Sequence, residues 1–434
     1  MDPWLLTILF FGTLIILLVL GLPVAFALSG LAIIFSLVIY GPDSLYTVVF
    51  EAYGAGTSFV LTAVPLFVFM ASMLEKSDLA RDLYNMMYQW LNNIPGGLAS
   101  GTIVICAIFA AMAGISGVAT ITMGLIAMPS MLQKNYDKKM VTGTIMAGGA
   151  LGILIPPSVI AILYGSITGT SVGKLFIGCM IPGILLTVLF ILYLTVRCFL
   201  NPKLAPPARE AFPLKVKLAS LKALIAPLLL VFAVLGSLYS GMCTPTESAG
   251  IGAVGSIICA AIYKKLNYKN IKDSISSTLV ITSMAIWIVF GAACFKGVYV
   301  SSGASDVMLS MVADLNLPPL AVIALMMGIY FILGMIMDPV GMVMLTIPVF
   351  LPIVESLGYD PLWFGVLFII NSEMAYITPP FGFNLFYMKA IAPPNITMTD
   401  IYRSITPFVA IQAICLALVM FLPQLILWLP NNMK

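Results

Sequence analysis

The chain has 434 residues, of which 61% are hydrophobic and only 9% are charged, and its mean hydropathy is +1.11. Soluble domains carry about 25% charged residues, so this composition excludes a cytosolic enzyme. A net charge of +3 over the whole chain makes no basic stripe, which argues against nucleic-acid binding. Histidine is absent and the seven cysteines form no CxxC pair, which argues against zinc, haem and iron–sulfur sites. We therefore expect an all-α polytopic membrane protein.

Apolar segments of about 20 residues predict the membrane spans. The first segment follows no positively charged stretch and precedes no small-residue cleavage site, so we interpret it as a retained span and not as a signal peptide. Two apolar regions, 98–132 and 318–354, are too long for one span and are interrupted by Gly or Pro, which predicts two re-entrant hairpins. Ten spans are predicted, at residues 4–20, 22–40, 57–74, 141–167, 174–199, 219–240, 244–263, 276–298, 362–391 and 404–429.

The positive-inside rule predicts the orientation of these spans. With both hairpins returning to their own side and the N-terminus outside, only Lys174, Lys296 and Lys434 of the 20 Lys and Arg residues fall outside. Treating either hairpin as a full span would invert everything after it and scramble this pattern. We therefore predict that both termini are periplasmic.

An internal duplication relates the two halves at an offset of 222 or 223 residues. Pro23 matches Pro245, the interruption at Ser116 matches the one at Asp338, and Pro156-Pro157 matches Pro379-Pro380. Each half holds five spans and one hairpin, and because five is odd the second half must lie inverted in the membrane. Paired inverted repeats with broken helices indicate a secondary transporter. The predicted units are a first repeat at 1–200 with a broken span at 141–167, a cytoplasmic linker at 201–218, and a second repeat at 219–434 with a broken span at 362–391.

Four backbone interruptions are the candidate sites. In the membrane, backbone outside a helix survives only inside protein or beside a water-filled cavity, where freed carbonyls can coordinate Na⁺ and new helix N-termini favour anions. We predict that Asp338 and Thr378 both act as N-caps. Asp338, Glu247 and Glu373 lie in or beside apolar spans, and for each of them both a functional and a purely structural role stay open.

The interrupted motifs resemble the large membrane subunit of TRAP (tripartite ATP-independent periplasmic) transporters over nearly the whole chain. They are Gly114-Ile-Ser-Gly-Val-Ala-Thr120, Gly152-Ile-Leu-Ile-Pro-Pro-Ser158, Cys243-Thr-Pro-Thr-Glu-Ser248, Asp338 and Thr378-Pro-Pro-Phe-Gly382. The resemblance implies Na⁺-driven uptake of a small organic acid across the bacterial inner membrane by an elevator mechanism, with no cofactor. It also implies a small membrane (Q) subunit, expected as a separate chain, and a periplasmic substrate-binding protein.

The same resemblance implies the site residues. Two Na⁺ sites are expected, with substrate between the hairpin tips and no transition metal. The expected cation ligands are Gly114, Ser116, Pro156 and Ser158 in the first half and Gly334, Asp338, Thr378 and Pro379 in the second. The expected substrate-binding residues are Ser116, Thr120, Ser158, Gly341 and Gly382.

Three other functions compete with this reading. A stand-alone, proton-coupled organic-anion transporter of related fold would use Asp338, Glu247 or Glu373 as its proton carrier. A membrane enzyme would need a nucleophile–base pair, and without histidine only carboxylates remain. A proton-pumping respiratory subunit would need lysines within its spans, whereas these lysines lie almost wholly in loops.

Overall fold

The first half of the chain consists of ten α-helices joined by short turns and 3₁₀ segments. The computed structural model describes residues 3–208, 210–314 and 317–432, and no β-strand occurs in these ranges. The helices of the first half are α1 (Pro3–Val19), α2 (Val24–Tyr40), α3 (Leu45–Gly56), α4 (Ala63–Glu75), α5 (Leu79–Leu91), α6 (Gly97–Ala113), α7 (Ser116–Gln133), α8 (Lys138–Leu154), α9 (Val159–Thr168) and α10 (Val172–Leu200).

The second half follows a connector and holds eleven further α-helices within the described residues. The connector holds Pro202, Pro206, Pro207 and Pro213 before a short helix begins. The remaining helices are α11 (Leu214–Ser220), α12 (Ile225–Tyr239), α13 (Pro245–Ile262), α14 (Tyr268–Ser301), α15 (Ala304–Asp314), α16 (Pro319–Gly334), α17 (Pro339–Ser356), α18 (Pro361–Tyr376), α19 (Phe383–Ile391), α20 (Met398–Phe421) and α21 (Gln424–Asn431).

The helix lengths confirm a polytopic membrane protein but do not reproduce ten uninterrupted spans. In the described ranges, seven helices are long and apolar enough to cross a membrane, or eight if the bent pair Pro42–Gly56 and Phe59–Glu75 is one span. The predicted span 362–391 is divided by its break into helices of 16 and 9 residues, and α1 and α2 have 17 residues each. Helices α3 and α15 were not predicted, because both are short and connect longer apolar segments.

Helices α8 and α18 form the centre of the molecule. Every residue of α8 from Met140 to Leu154 is buried, and so is every residue of α18 from Leu362 to Ala375. A helix that is buried on all sides must meet neighbours all around it. Helix α8 contacts α6, α7, α10, α18, α19 and α20, while α18 contacts α8, α9, α10, α16, α17, α20 and α21.

Glycines allow the neighbours of α8 to approach closely. A Cβ at Gly148 would lie 2.8 Å from the Cys106 sulfur of α6, and one at Gly143 would lie 2.6 Å from the Ser404 carbonyl oxygen of α20. Lipid supplies no hydrophobic force between helices, so close backbone packing through small residues stabilises such contacts. The glycines of α8 therefore determine how near the interrupted helices come to it.

A second group of helices surrounds one side of this core. The long helix α14 packs on α2, α3 and α4, and α13 packs on α4 and α12. Helix α14 also contacts α17 of the core. The outward faces of this group are apolar and exposed, as expected for surfaces that meet lipid: Phe26, Phe50, Tyr53, Phe232 and Trp287 are examples.

Candidate functional site

All four predicted interruptions are present in the structure. Helix α6 ends at Ala113 and α7 begins at Ser116, whereas α16 ends at Gly334 and α17 begins at Pro339. We refer to residues 114–116 as tip 1 and to 334–338 as tip 2. Residues 155–158, between α8 and α9, are break 1, and residues 377–382, between α18 and α19, are break 2. The side of the membrane on which each tip opens stays a prediction.

Tip 1 lies directly against break 1. Gly114 has φ +64°, and a Cβ at this position would lie 2.4 Å from the carbonyl oxygen of Pro157. A Cβ at Gly152 would lie 3.2 Å from the backbone nitrogen of Ser116. Glycine is needed at both places because only a bare Cα lets the two backbones approach this closely. Four of the predicted cation ligands, Gly114, Ser116, Pro156 and Ser158, therefore belong to one small region.

The prolines in the two breaks remove backbone donors. Proline has no N–H, so Pro156 and Pro380 cannot donate to the carbonyls of Gly152 and Tyr376, four residues earlier. The neighbouring carbonyl of Ile153 is instead bonded by the Ser158 hydroxyl at 2.5 Å. The carbonyls of Gly152 and Tyr376 therefore lack the donor that a continuous helix would supply.

The Ser158 hydroxyl is already engaged within its own segment. It donates to the Ile153 carbonyl and accepts a bond of 3.4 Å from the Ala161 N–H, which makes Ser158 the N-cap of α9. Its oxygen can still approach a cation through a remaining lone pair. The structure thus gives Ser158 a capping role that the sequence analysis did not assign.

The predicted capping role of Asp338 is confirmed. Its Oδ2 accepts bonds from the N–H groups of Val340 at 3.0 Å and Gly341 at 3.2 Å, with Pro339 at the first helical position. A Cβ at Gly334 would lie 2.5 Å from the Cβ of Ala375, so tip 2 lies against the end of α18. The second tip therefore contacts the end of α18, two residues before break 2 begins.

The predicted capping role of Thr378 is wrong. Its hydroxyl donates to the carbonyl of Met374 at 2.7 Å, and the N-cap of α19 is Gly382, which has no side chain to cap with. The Gly382 N–H donates to the Thr378 carbonyl at 3.1 Å, and a Cβ at Gly382 would lie 2.7 Å from that oxygen. A tight turn over 378–382 thus displaces the start of α19 beyond the threonine.

Tip 1 is also bonded to the opposite half of the chain. The Ser116 hydroxyl and the Asn384 side chain are both buried and lie 2.8–3.1 Å apart, and the Asn384 amide donates to the Met146 carbonyl at 3.4 Å. Helix α7 packs on α19 through glycines, because a Cβ at Gly117 would lie 2.8 Å from the Tyr387 ring. Sequence reasoning missed Asn384, although an asparagine at the start of an apolar half-helix was a visible signal.

The predicted substrate residues are not all gathered in one place. Thr120 packs on α8, where a Cβ at Gly149 would lie 2.0 Å from its hydroxyl, and this buried hydroxyl has no hydrogen-bond partner among the described residues. Gly341 faces α2, because a Cβ there would lie 3.2 Å from a Val24 methyl group. Ser116 and Ser158 lie at tip 1 and break 1, and Gly382 lies at break 2.

The two other candidate carboxylates have different surroundings. Glu247 forms a capping box with Thr244, whose N–H donates to it at 2.7 Å, so its role in the structure is to start α13. Glu373 is fully buried and accepts from the Gln412 side chain at 3.0 Å, while its second oxygen has no partner in the described residues.

The atoms at the tips and breaks that could coordinate a cation are oxygens. Backbone carbonyls, the Ser116 and Ser158 hydroxyls, the Asn384 amide and the Asp338 carboxylate suit a hard cation. No group of three or more His, Cys, Asp or Glu residues suited to a metal ion occurs in the described ranges. Helices α7, α9, α17 and α19 all begin at these interruptions. At α17 the Asp338 carboxylate already accepts from the first N–H groups, so the starts of α7, α9 and α19 are the ones that can receive an anion close to the cation ligands.

Comparison with known proteins identifies the family. A family model described as "Tripartite ATP-independent periplasmic transporter, DctM component" matches residues 11–425. The chain is 32% identical over 93% of both chains to the C4-dicarboxylate TRAP transporter large permease DctM of Pseudomonas aeruginosa. It is 28% identical to the ectoine/5-hydroxyectoine TRAP large permease UehC of Ruegeria pomeroyi, over 96% of this chain and 97% of that one.

A solved transporter structure shares the fold. The YdaH transporter of Alcanivorax borkumensis matches with a TM-score of 0.65 at 15% identity, over 97% of this chain and 98% of that one. At this identity the match shows the fold alone. From the family match and the close relatives, the chain is a membrane transport component and not an enzyme, and it belongs to the DctM family of tripartite ATP-independent periplasmic transporters.

Proposed function

We propose that this chain is the large permease of a transporter that carries a small organic acid across the bacterial inner membrane, driven by Na⁺. The observation that supports this most strongly is the contact between each hairpin tip and a broken helix, at Gly114–Pro157 and at Gly334–Ala375. Each tip is followed directly by a helix N-terminus, and each broken helix is interrupted by a Pro-Pro pair that lacks two backbone donors. Secondary transporters bind coupling cations and anionic substrates with this combination.

In this proposal the two Na⁺ sites lie at the two contacts. The first would use the carbonyls around Gly114 and Pro156 with the hydroxyls of Ser116 and Ser158. The second would use Gly334, Asp338 and the carbonyls of Thr378 and Pro379. A cation at either place would neutralise partial negative charge on converging carbonyls and so stabilise the closed contact between tip and break.

The substrate carboxylate would lie between the two tips. The helix starts at α7, α9 and α19 offer backbone N–H groups, and the hairpin sequences contain no arginine that could bind the carboxylate instead. The core helices α6–α9 and α16–α19 would move together against α2–α4 and α12–α14 in an elevator-type step. The family description as tripartite supports two partners, a small Q subunit and a periplasmic binding protein that delivers the substrate.

A second candidate is proton coupling by a transporter of related fold that works alone. The observation in its favour is Glu373, a fully buried carboxyl whose second oxygen has no described partner. A buried acid without a cation beside it is stable only when protonated, so Glu373 has the chemistry to carry a proton.

Reconstitution in liposomes tests both candidates. The chain, its Q subunit and its binding protein are assayed for uptake of labelled C4-dicarboxylates, ectoine and other small acids under an inward Na⁺ gradient. The control replaces Na⁺ with K⁺ at constant pH. Uptake that requires Na⁺ and the binding protein supports the first proposal. Uptake with K⁺ and a proton gradient, or without the binding protein, overturns it in favour of the second.

A further inference from the structure

A separate cavity lies between the outer helices and the core. Its volume is about 240 Å³, below the 300–1,000 Å³ typical of sites for drug-sized ligands, so it suits a small molecule. One wall comes from α3 and α14, with Glu51 and Lys296. The opposite wall comes from α9 and α17, with Ser166 and Met344. Neither tip nor either break contributes to it.

Glu51 and Lys296 are the only charged residues that line this cavity in the described ranges. Both are partly buried. Within those ranges neither takes part in a hydrogen bond of its side chain or in an ion pair. A partly buried charge without a partner is unfavourable, and a ligand of opposite charge would relieve that cost.

The backbone brings Glu51 of α3 against α14 next to the position of Lys296. A Cβ at Gly297 would lie 2.7 Å from the Cγ of Glu51, so the absence of a side chain on α14 makes room for the glutamate beside Lys296. The cavity therefore presents one cation and one anion side by side, with the Ser58 and Ser166 hydroxyls as further polar groups.

We propose that this cavity is a binding site for the transported acid on its way to the tips, and that the acid is zwitterionic. This inference rests on the function proposed above and names its substrate class. The carboxylate would bind Lys296 and a cationic nitrogen would bind Glu51. A dicarboxylate fits less well, because its second carboxylate would lie near Glu51 and be repelled.

Three four-carbon acids that share one carboxylate and differ at the opposite end test which group the cavity prefers there. They are 4-aminobutyrate, butyrate and succinate, which carry an ammonium, a methyl group and a second carboxylate respectively. Binding to the purified complex of this chain with its Q subunit is measured as ligand-dependent thermal stabilisation at fixed Na⁺. We expect 4-aminobutyrate to bind most tightly and succinate most weakly.

Charge-deletion variants then assign the contacts. Lys296→Gln should weaken binding of all three acids by about tenfold or more, as expected for loss of a charged hydrogen bond. Glu51→Gln should abolish the preference for 4-aminobutyrate over succinate. Lys174→Gln and Glu355→Gln are the matched controls, since both residues are exposed and lie outside the cavity, and they should bind as the unmodified chain does.

A variant that retains both charges covers the case in which a charge deletion prevents folding. Ala293→Leu adds bulk to the cavity wall and should also weaken binding. Equal or tighter binding of succinate, unchanged selectivity in Glu51→Gln, or no binding of any acid would each overturn the inference. Uptake in liposomes is measured separately, so absence of Na⁺-driven uptake would refute the proposed function without deciding occupancy of this cavity.

Discussion

The two pairs of tip and break have the same kind of interrupted backbone, but different side chains make the contacts in each. In the first half, contact is made by glycine against the Pro157 carbonyl and by a neutral pair, Ser116 with Asn384. In the second half, a carboxylate, Asp338, caps the helix that follows the tip. The two halves therefore share the interruption of the helices and differ in the local chemistry at it.

This difference assigns distinct roles to the two halves. Tip 1 is linked to α19 of the second half, so its position depends on a helix from the other repeat. For tip 2, the capping bonds come from its own segment, and a negative charge is present beside the helix start. We expect substitutions at tip 1 to act mainly through packing and those at tip 2 mainly through charge.

The largest effect is expected for Gly114→Ala. A left-handed backbone costs a non-glycine residue about 1–2 kcal/mol, and the new Cβ would overlap the Pro157 carbonyl at 2.4 Å, adding about 1–3 kcal/mol. We expect loss of uptake and a clear fall in apparent melting temperature. The control is Gly169→Ala, which has φ +73° with no atom within 4 Å and so carries only the backbone cost. Equal effects of the two variants would contradict the predicted contact.

A similarly clear loss of transport is expected for Asp338→Asn. Asparagine caps helices about as well as aspartate, so the fold should be retained while the negative charge is removed. Asp360→Asn is a matched control, because Asp360 also caps a helix that starts with proline and is exposed. If Asp338→Asn takes up substrate at the level of this control, the negative charge of Asp338 is not required for transport. Asp338→Ala should cost about a further 1 kcal/mol through loss of the cap.

A smaller effect is expected for Ser116→Ala. It leaves the buried Asn384 amide with one partner fewer, and interhelical hydrogen bonds in membranes contribute about 0.6 kcal/mol on average and up to about 1.7. Melting temperature should fall slightly, and uptake should require more Na⁺. Ser372→Ala is the control, because that buried hydroxyl bonds only to Phe368 of its own helix. Unchanged Na⁺ dependence would leave only backbone oxygens at the first cation site.

The smallest effect is expected from pH at the connector. The Lys134 ammonium and the Tyr88 hydroxyl bond the Glu210 carboxylate and hold its pKa below the ordinary value of 4.5. Because the pKa is lowered on folding, the stabilisation is complete at pH 7 and is lost as the pH falls through the lowered value. A slight drop in melting temperature on acidification should disappear in Glu210→Gln. Persistence of the same drop in that variant would assign it to other carboxylates.

Much of the site could be predicted from local sequence. Pro156-Pro157, Pro379-Pro380 and Gly114 indicated interrupted helices, because proline lacks an N–H and glycine alone tolerates positive φ easily. The cap at Asp338 followed from Asp-Pro at a helix start. The same reasoning gave a wrong prediction for Thr378, because its hydroxyl donates to the Met374 carbonyl and α19 begins only after Gly382.

By itself, then, the sequence determined a polytopic helical membrane protein interrupted at four positions, because hydropathy and the chemistry of glycine and proline act within a few residues. Only the tertiary structure decided that α8 and α18 are buried on all sides, that Ser116 meets Asn384 from 268 residues away, and that Glu51 and Lys296 share a cavity. Such pairings depend on which helix faces meet, and apolar helices carry little periodic pattern to specify a face.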